Sequence, residues 1–216
     1  MRDVAYYKSY PRLPKVELER VAPPRSDFFD AVSKRRSRRK FASAAISKSD
    51  LSALLISSCG ISPQKGGVGN FRAYPSAGAR FPIEIYPIVF RSSENLKSGL
   101  YHYSLREHAL DVLWDREFTD EDIDELFTYP WVKRAAVAFV MTAVFWRANN
   151  KYGERGHRYI LLEAGHIGQN VSLQAVSLGL GTVMVGAFND EAVKDVLAIP
   201  ANESPLYIIP VGYAVE

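Results

Sequence analysis

The most constraining feature of the 216-residue sequence is a polar segment that lies between two apolar ones. The first apolar stretch, Ala135 to Phe145, has the length and composition of a buried strand, and a second runs from Gly181 to Phe188. Between them, residues 146–170 contain cations, a Lys-Tyr pair and a cluster of Glu, His, Gln and Asn. Buried polar groups cost free energy unless they are paired. The segment is therefore either a functional site or a helix whose polar groups pair with one another or with a partner subunit.

Composition places the chain among ordinary globular proteins. Of its residues, 47% are apolar and 24% are charged, and the net charge is +3. One domain with its own core is expected. The N-terminus lacks the apolar core of a signal peptide, and the stretch from Ala135 to Trp146 is shorter than the roughly 20 residues of a membrane span. These features predict a soluble cytoplasmic protein that binds neither membrane nor nucleic acid.

Candidate nucleophiles and metal ligands are few. Cys59 is the single cysteine, so an internal disulfide is excluded, and a buried small side chain is the expected role. His102 and His108 lie in a predicted hairpin and are expected to face solvent. No spacing of Cys and His resembles a zinc site, so no metal is predicted.

The order of helix and strand patterns predicts an α+β fold with a mainly antiparallel central sheet flanked by helices. Residues 1–25 carry four prolines and are expected to form an extended arm, disordered or laid over another surface, while residues 26–216 form a single domain. The first predicted helix begins at Ser26, and the second begins at Ser47 and ends at Gly60. Three further helices are predicted at 119–129, from Tyr152 to Leu178, and at 190–197. A strand is predicted at 83–90, with one edge unpaired at Pro87, and a hairpin is predicted at 100–113. Central strands are predicted at 134–145 and 181–185, and a last strand at 206–213.

Three glycines lie inside the predicted long helix. Gly156, Gly165 and Gly168 each cost about 1 kcal/mol relative to alanine in a helix interior. Their presence indicates that another backbone, a cofactor or a partner helix approaches closely.

A basic run follows the first predicted helix. Six of the seven residues from Lys34 to Lys40 are cationic. The run can be a basic helix end favoured by the helix dipole or a nucleic-acid patch. It can also be a phosphate site, in which arginines give bidentate contacts and Ser37 adds a hydroxyl. The segment alone does not decide between these interpretations.

Two short segments have the composition of ligand-contact loops. Residues 72–79 combine proline with small residues that let a backbone approach a flat ligand, although a tight turn is the simpler interpretation. Gly186 and Ala187 end a predicted strand, where backbone amides can donate hydrogen bonds to a ligand. A turn capped by Asn189 or Asp190 fits the second segment equally well.

Taken in order, these segments resemble the FMN-dependent nitroreductase family, and most closely its SagB-type branch, the azoline dehydrogenases of thiazole- and oxazole-forming peptide pathways. The resemblance covers almost the whole chain, from about Tyr10 to Tyr213. Each motif alone is weak evidence, whereas the ordered set is specific. The motifs are Arg35-Arg36-Ser37-x-Arg39-x-Phe41, Arg72 with Pro75-Ser76-Ala77-Gly78-Ala79, Lys151-Tyr152-Gly153-x-Arg155-Gly156-x-Arg158-Tyr159, Glu163-Ala164-Gly165-His166-Ile167-x-Gln169-Asn170, Gly186-Ala187-Phe188-x-Asp190 and Glu203-x-Pro205-Leu206-Tyr207.

The resemblance implies an FMN-dependent oxidoreductase that transfers hydride between a substrate and flavin N5. It implies a homodimer with FMN at the subunit interface, the long helix as a dimer helix, and a small-molecule or peptide substrate. Oxidation of an azoline to an azole on a peptide is the specific expectation. The implied cofactor residues are Arg35, Arg36, Ser37 and Arg39 at the phosphate, Arg72, Pro75, Ser76, Ala77 and Gly78 at the flavin loop, and Gly186 and Ala187 facing N5.

Lys151 and Tyr152 are the catalytic pair that the resemblance implies. A lysine acts as a base only when its pKa falls from about 10.4. The nearby cations Arg147 and Arg155 favour that fall, and they also favour tyrosinate at Tyr152. Either group can then take a ring proton while hydride goes to N5. The alternative is a surface turn at the start of the helix.

Two other functions stay open at this point. One is an NAD(P)H-dependent reductase of nitro compounds, quinones or enones, which needs a roomy flavin pocket and no Lys-Tyr base. The other is a non-enzymatic flavin- or nucleic-acid-binding module that uses the basic run. Substrate identity is further affected by Arg80-Phe81, which stands where the branch usually has Leu-Tyr and favours an anionic substrate.

Overall fold

The computed structural model describes residue 8 and residues 10–19, 28–62 and 71–215. The helices are α1 (Phe28–Lys34), α2 (Lys48–Cys59), α3 (Asp120–Leu126), α4 (Phe145–Tyr152), α5 (Arg155–Ser177) and α6 (Asp190–Leu197). The strands are β1 (Lys15–Glu17), β2 (Ile83–Val89), β3 (Gly99–Ser104), β4 (Ala109–Trp114), β5 (Val137–Val144), β6 (Gly181–Thr182) and β7 (Glu203–Gly212). Short 3-10 turns lie at Ala77–Ala79 and Pro130–Arg134.

The seven strands form one sheet in the order β1-β4-β3-β2-β5-β7-β6. Every ladder between these strands is antiparallel, so the prediction of an α+β fold with a mainly antiparallel central sheet is confirmed. One face of the sheet packs against α2 and α5, and the other packs against α3 and α6. Because both faces are covered, the inner strands β2 and β5 are buried almost along their whole length.

Local sequence signals set several helix boundaries. Ser47 caps α2 by accepting a hydrogen bond from the Asp50 amide at 2.9 Å, and Gly60 follows its last residue. Thr119 and Asp122 form a reciprocal capping box at the start of α3. These caps satisfy amides that would otherwise lack partners at a helix start. They explain why the predicted starts of these helices agree with the structure.

Pro87 lies inside β2 without breaking the sheet. It pairs with Phe139 of β5, while the register with β3 covers only Ile88 and Val89. A proline lacks the amide that a second ladder would require. The sequence therefore predicted correctly that one edge of the strand is unpaired at this residue.

The predicted helix from Tyr152 to Leu178 corresponds to α5, but its start needs a correction: α5 begins at Arg155, and Tyr152 ends a separate helix, α4, that the sequence analysis did not predict. Gly153 adopts φ 57° and ψ −142°, a conformation that glycine tolerates and that ends α4 before α5 begins. At Gly156 an added Cβ would collide with Asn149 of α4, so this glycine permits close contact between neighbouring helices of the same chain. Gly168 faces Met184, whose methyl group lies 3.4 Å from a built Cβ, whereas nothing lies within 4 Å of Gly165.

The strand predicted at 181–185 is not central. β6 has only two residues and lies at the edge of the sheet, paired with β7. After it, Val185 forms an isolated bridge with Ile208. The apolar composition that suggested a central strand instead reflects packing of Val183 and Val185 against the core on one side of the sheet.

The N-terminal region is described only in part. β1 pairs with β4 at the edge of the sheet, so residues 15–17 are part of the central sheet. The predicted helix start at Ser26 and Asp27 lies outside the described residues, as does much of the arm. The division into an arm at 1–25 and a domain at 26–216 stays a prediction.

The prediction that both hairpin histidines face solvent is wrong. His102 is 0% exposed and His108 is 3% exposed. His108 is hydrogen-bonded to Ser52 at 2.9 Å and to Tyr103 at 2.8 Å. These partners offset the cost of burying the ring nitrogens. Cys59 is buried as expected, and burial raises the pKa of its thiol to about 12, which argues against a nucleophile.

Candidate active site

The Lys-Tyr pair lies against the glycine of the Pro-Ser-Ala-Gly-Ala loop. Gly78 has φ +58° within the 3-10 turn, and an added Cβ there would clash with the Tyr152 hydroxyl oxygen and lie 2.8 Å from Lys151 Nζ. Lys151 is exposed and Tyr152 is half-buried. Two segments more than seventy residues apart in sequence thus place an amine, a phenol and an exposed glycine turn side by side.

The turn is fixed by hydrogen bonds at its end. Ser76 Oγ accepts a hydrogen bond from the Phe81 amide at 2.9 Å. Arg147 Nη1 donates to the Phe81 carbonyl at 3.0 Å. Phe81 itself has φ 46°, an uncommon conformation for a bulky residue that its neighbours must maintain. Because Arg147 and Lys151 both belong to α4, this bond also ties the loop to the helix that carries the Lys-Tyr pair.

Arg147 begins a buried row of charged side chains that the sequence analysis did not foresee. Its Nη1 lies 2.5 Å from Glu84 Oε1. His102 bridges Glu84 and Asp111 at 3.2 Å on each side, and Lys15 pairs with Asp111. Burial disfavours the charged form of Glu84, yet the hydrogen bond from His102 and the charge of Arg147 lower the pKa of Glu84 to about 2. Burial also opposes charge on His102, but its bonds to the two carboxylates raise its pKa.

This row alters the role assigned to Arg147. The sequence analysis expected its charge to act on Lys151, but the guanidinium is buried and paired with Glu84. An ion pair at this distance compensates most of the charge that a neighbouring group would otherwise experience. Arg147 therefore fixes the positions of α4 and of the loop, while the exposed Arg155 stays a candidate for an electrostatic effect on Lys151.

A second buried polar cluster lies on β7 and its neighbours. Glu203 Oε1 accepts hydrogen bonds from Thr142 at 2.6 Å and from Tyr86 at 2.9 Å. Its other oxygen pairs with Lys8 at 2.6 Å. The family motif had included Glu203 without assigning it a role. The structure shows a carboxylate, 1% exposed, whose charge is compensated by the N-terminal segment.

Arg72 is packed beside the loop rather than extended into solvent. Its Nη1 donates to the Tyr74 hydroxyl at 2.7 Å, and its guanidinium carbon lies 4.2 Å from the centre of the Phe81 ring. Pro75 and Gly78 are exposed, and Ser76 and Ala77 are half-buried. The structure thus gathers Arg72 and the four predicted loop residues into one surface.

The basic run lies along the edge strand β6. Ser37 forms a parallel bridge with Thr182, and the Arg38 amide donates to the Thr182 carbonyl at 3.0 Å. Arg39 and Ser37 are exposed, and Arg35 is half-buried. Pairing with the sheet edge gives the run a fixed path and leaves cationic side chains at the surface.

Arg36 differs from its neighbours in the run. Its Nη1 donates to the carbonyls of Ser33 at 2.9 Å and Arg35 at 2.8 Å. These two bonds occupy N–H groups that could otherwise donate to a phosphate. Arg36 therefore has fewer donors for an anion than Arg39.

Gly186 and Ala187 lie four and five residues beyond β6, the strand along which the basic run lies. Both are exposed, and nothing lies within 4 Å of a Cβ built at Gly186. The isolated bridge at Val185, with hydrogen bonds of 2.8 and 2.9 Å to Ile208, fixes the backbone just before them. The basic run and this strand end therefore belong to the same edge of the sheet.

The helix α5 connects the two groups of predicted site residues. Asn170 donates to the Ala73 carbonyl at 3.2 Å, next to the loop, and the Glu163 side chain is hydrogen-bonded to Ser76. Gly168, between them on the same helix, packs against Met184, which precedes Gly186. The polar motif in α5 thus contacts the loop segment at 72–79 directly.

Neither a metal centre nor a membrane span is evident in the part of the chain that the structure describes. Among these residues, no group of three or more His, Cys, Asp or Glu side chains could hold a metal ion. No described helix is both long enough and apolar enough to cross a membrane.

The antiparallel sheet and its flanking helices form a nitroreductase-like fold, and comparison with known proteins agrees. The chain belongs to the nitroreductase family, whose family model matches residues 32–213. Members of this family are oxidoreductases and generally bind flavin.

Individual relatives place the chain near both reductases and peptide-processing proteins. A relative from Methanocaldococcus jannaschii, provisionally named a nitroreductase, is 37% identical over 187 residues, which cover 87% of this chain and 91% of the relative. The microcin B17-processing protein McbC of Escherichia coli is 31% identical over 142 residues, which cover 61% of this chain and 49% of McbC.

A solved structure extends the second similarity. The E. coli microcin synthetase McbBCD complex with bound truncated pro-MccB17 contains a chain similar to this one, with a TM-score of 0.70 and 26% identity over 85% of this chain and 70% of that chain. McbC itself is about twice as long as the segment of it that this chain matches.

Proposed function

We propose that this protein is an FMN-dependent dehydrogenase of the SagB type that oxidises an azoline ring on a peptide to an azole. The observation that supports it most is the contact of Lys151 and Tyr152 with Gly78 of the loop. A reductase that only shuttles hydride needs no amine and phenol beside the flavin loop, whereas removal of a ring proton does.

The residues present fit a flavin nucleotide. Arg39 and Ser37 offer exposed donors for a phosphate along β6, and Arg35 contributes a further cation. At Gly186 and Ala187 the backbone is exposed and the space beside Gly186 is open, as close approach of a flat ring requires. When bound, FMN would supply the hydride acceptor at N5.

The chain's own residues would supply orientation and proton transfer. Lys151 and Tyr152 stand where a substrate lying against the loop would meet them, and either can accept a ring proton. Arg147 holds α4 and the Phe81 carbonyl in one arrangement, so the pair keeps its distance from the loop. Such positioning avoids reorganisation at the moment of reaction and contributes to rate.

The substrate class rests on the relatives and on this site together. McbC is named for processing microcin B17, and its synthetase complex was solved with a peptide bound. Lys151 is exposed and Tyr152 is half-buried, so a substrate as large as a peptide can approach the pair. Arg80, beside the loop, favours a peptide with an acidic residue near the ring.

A homodimer with FMN at the subunit interface is part of the proposal. Large apolar side chains are exposed on α5, where Leu161 is 61% and Leu162 is 54% exposed, and on α1, where Phe28 is 72% exposed. The two helices are in contact with each other, and exposed apolar patches are typical of protein interfaces. Burial against a second copy would remove it from water.

An NAD(P)H-dependent reductase is the second candidate. The relative from M. jannaschii, which the chain matches over most of its length, is provisionally named a nitroreductase. The two functions differ in what reduces the flavin. In the dehydrogenase the peptide does so, and in the reductase NAD(P)H does.

Purification and reduction of the flavin distinguish these functions. We expect the purified protein to be yellow, with oxidised-flavin absorbance that added NAD(P)H does not bleach. Rapid bleaching by NAD(P)H would favour the reductase. A colourless protein that stays colourless after reconstitution with excess FMN would exclude both functions and favour a non-enzymatic module.

A further inference from the structure

Glu163 is a buried acid beside the flavin loop that the proposed reaction does not use. It lies on α5 and is 2% exposed. Its carboxyl group is hydrogen-bonded to the Ser76 side chain. Within the described residues its Oε1 atom is buried and has no hydrogen-bond partner. Burying a carboxylate with one unpaired oxygen costs free energy of folding, so the presence of Glu163 at this position needs an explanation.

The groups that face Glu163 come from the loop segment at 72–79 and from α4. Ser76 and Arg72 belong to the loop segment, Arg147 belongs to α4, and Tyr74 lies close enough to be affected by the charge. Burial disfavours the charged form and raises the pKa of Glu163 to about 7, although the Ser76 hydrogen bond and the two arginines act in the opposite direction. The carboxyl group can therefore change its protonation state near neutral pH.

We propose that Glu163 is a proton-dependent positioning residue, which controls whether the Ser76 hydroxyl group donates to Glu163 or to the flavin. The inference rests on the proposed function, since it requires a flavin at the loop. It concerns ligand binding and does not add a step to the oxidation.

The hydrogen-bonding capacity of serine explains the mechanism. A serine hydroxyl has one donor and two acceptor sites, and one acceptor site is already taken by the Phe81 amide. Ionised Glu163 can only accept hydrogen bonds, so the Ser76 hydroxyl group donates its one hydrogen bond to Glu163. Protonated Glu163 can instead donate to the second acceptor site of Ser76. The Ser76 hydroxyl group is then free to donate to an acceptor atom of the flavin ring, while the Phe81 bond is unchanged.

The direction of the pH effect follows. A flavin that accepts a hydrogen bond from Ser76 binds better when Glu163 is protonated, so affinity should fall as pH rises through neutrality. By linkage, bound flavin should raise the proton affinity of Glu163 by the same factor. Glu163→Gln imitates the protonated acid because its amide group donates to Ser76 and does not titrate.

The test is flavin affinity as a function of pH. We would titrate apoprotein with riboflavin, which lacks the phosphate group and its own titration near pH 6, and follow the quenching of flavin fluorescence. We expect the dissociation constant of the wild type to rise roughly tenfold between about pH 5.5 and about pH 8.5, as for a one-unit pKa displacement. Glu163→Gln should bind tightly across this range.

Matched variants isolate the effect. Glu154→Gln removes the same charge at the start of the same helix, where the exposed side chain makes no capping bond, and it should keep the wild-type pH dependence. His157 and His166 are present in every variant, so they cannot account for a difference between them. A wild type without pH dependence, or a Glu163→Gln variant that retains it, would overturn the inference.

A measurement on the apoprotein gives independent evidence and does not depend on the variant's folding. Carbon-13 NMR of labelled glutamate side chains should show one carboxyl group that titrates near neutral pH. If every glutamate titrates in the ordinary range near about pH 4.3, the inference is wrong even where riboflavin binds. If neither riboflavin nor FMN binds at any pH, the proposed function itself fails.

Discussion

Arg39 is the residue of the basic run best placed to hold the phosphate of the proposed FMN. It is exposed, and among the described residues no backbone carbonyl accepts a hydrogen bond from its guanidinium, in contrast to that of Arg36. We expect Arg39→Ala to lose a charge-assisted hydrogen bond worth about 1.5–3 kcal/mol, or roughly 10- to 150-fold in FMN affinity.

Fluorescence titration of the apo variant with FMN measures this loss. Lys34→Ala is the control, because it removes the same charge five residues away, where the amine already pairs with Asp30 at 2.8 Å. Equal losses in both variants would indicate a general charge effect and contradict a specific phosphate site. DNA binding that disappears with Arg39→Ala would favour the nucleic-acid module.

Glu163 should make folding stability depend on pH in a defined direction. Its pKa is raised from 4.5 to about 7 in the folded protein, so the folded state binds more protons than the unfolded state between these values. Stability linked to this group is therefore complete below about pH 4.5 and is lost as pH rises towards 7. Glu163→Gln should gain stability relative to wild type by up to roughly 3 kcal/mol at alkaline pH.

Urea unfolding at mildly acidic and at alkaline pH provides the comparison. The expected signature is a difference between Glu163→Gln and wild type that grows as pH rises. A difference of the same size at both pH values would mean that the carboxyl group is ionised throughout, which would contradict this account of its burial.

The flavin loop and α4 form one unit at the scale of elements. Gly78→Ala introduces a Cβ that would clash with the Tyr152 hydroxyl group and strains a residue with φ +58°. We expect this variant to displace the Lys-Tyr pair from the loop. Since a misplacement of about 1 Å can cost roughly 100-fold in rate, substrate oxidation should slow by about that factor.

The matched control for this variant is Gly179→Ala. Gly179 has a similar φ of +71°, but nothing lies within 4 Å of its added Cβ. Both variants bear the same kind of backbone strain, and only one disturbs the pair. If steady-state oxidation slows equally in both, loss of stability rather than displacement of Tyr152 is responsible.

Elements with local signals were predictable from sequence, and those without them were not. Ser47, Thr119 and Asn189 each cap a helix through an amide three residues away, so their helices start where the sequence indicates. The break at Gly153 was not predictable, because the three glycines that drew attention to the predicted helix, Gly156, Gly165 and Gly168, all lie within α5. The edge position of β6 depends on pairing with β7, which lies more than twenty residues further along the chain.

The buried charged row shows the same limit within the site. Glu84 lies between Ile83 and Ile85, an alternation that ordinarily indicates one solvent-facing side. Its partners His102 and Arg147 come from elements distant in sequence. The family motifs predicted that the loop and the Lys-Tyr pair belong to the site, and the structure places them side by side. That Arg147 connects Glu84 to the Phe81 carbonyl could not be predicted from sequence.

The whole molecule should be a dimer whose interface includes α5. Leu161, 61% exposed, is the most direct probe. We expect wild type to be a dimer by multi-angle light scattering at micromolar concentration, and Leu161→Arg to shift it towards monomer with loss of bound flavin. An arginine at the centre of an apolar interface would be buried without a partner.

Val215→Arg is the control for the interface. Val215 is also exposed, at 44%, but lies near the C-terminus rather than on α1 or α5. This variant should remain dimeric and keep its flavin. A wild-type monomer that carries a full complement of flavin would contradict the subunit-interface site.

Stopped-flow reduction of the bound flavin by a thiazoline- or oxazoline-containing peptide tests the central claim most directly. Lys151→Ala and Tyr152→Phe should retain FMN but reduce it about 10²- to 10⁴-fold more slowly than wild type, as expected for loss of a positioned acid or base. Tyr159→Phe, whose ring packs 4.9 Å from that of Tyr152, should stay close to wild type. Wild-type rates in both pair variants would contradict the proton-transfer role and leave the NAD(P)H-dependent reductase as the better account.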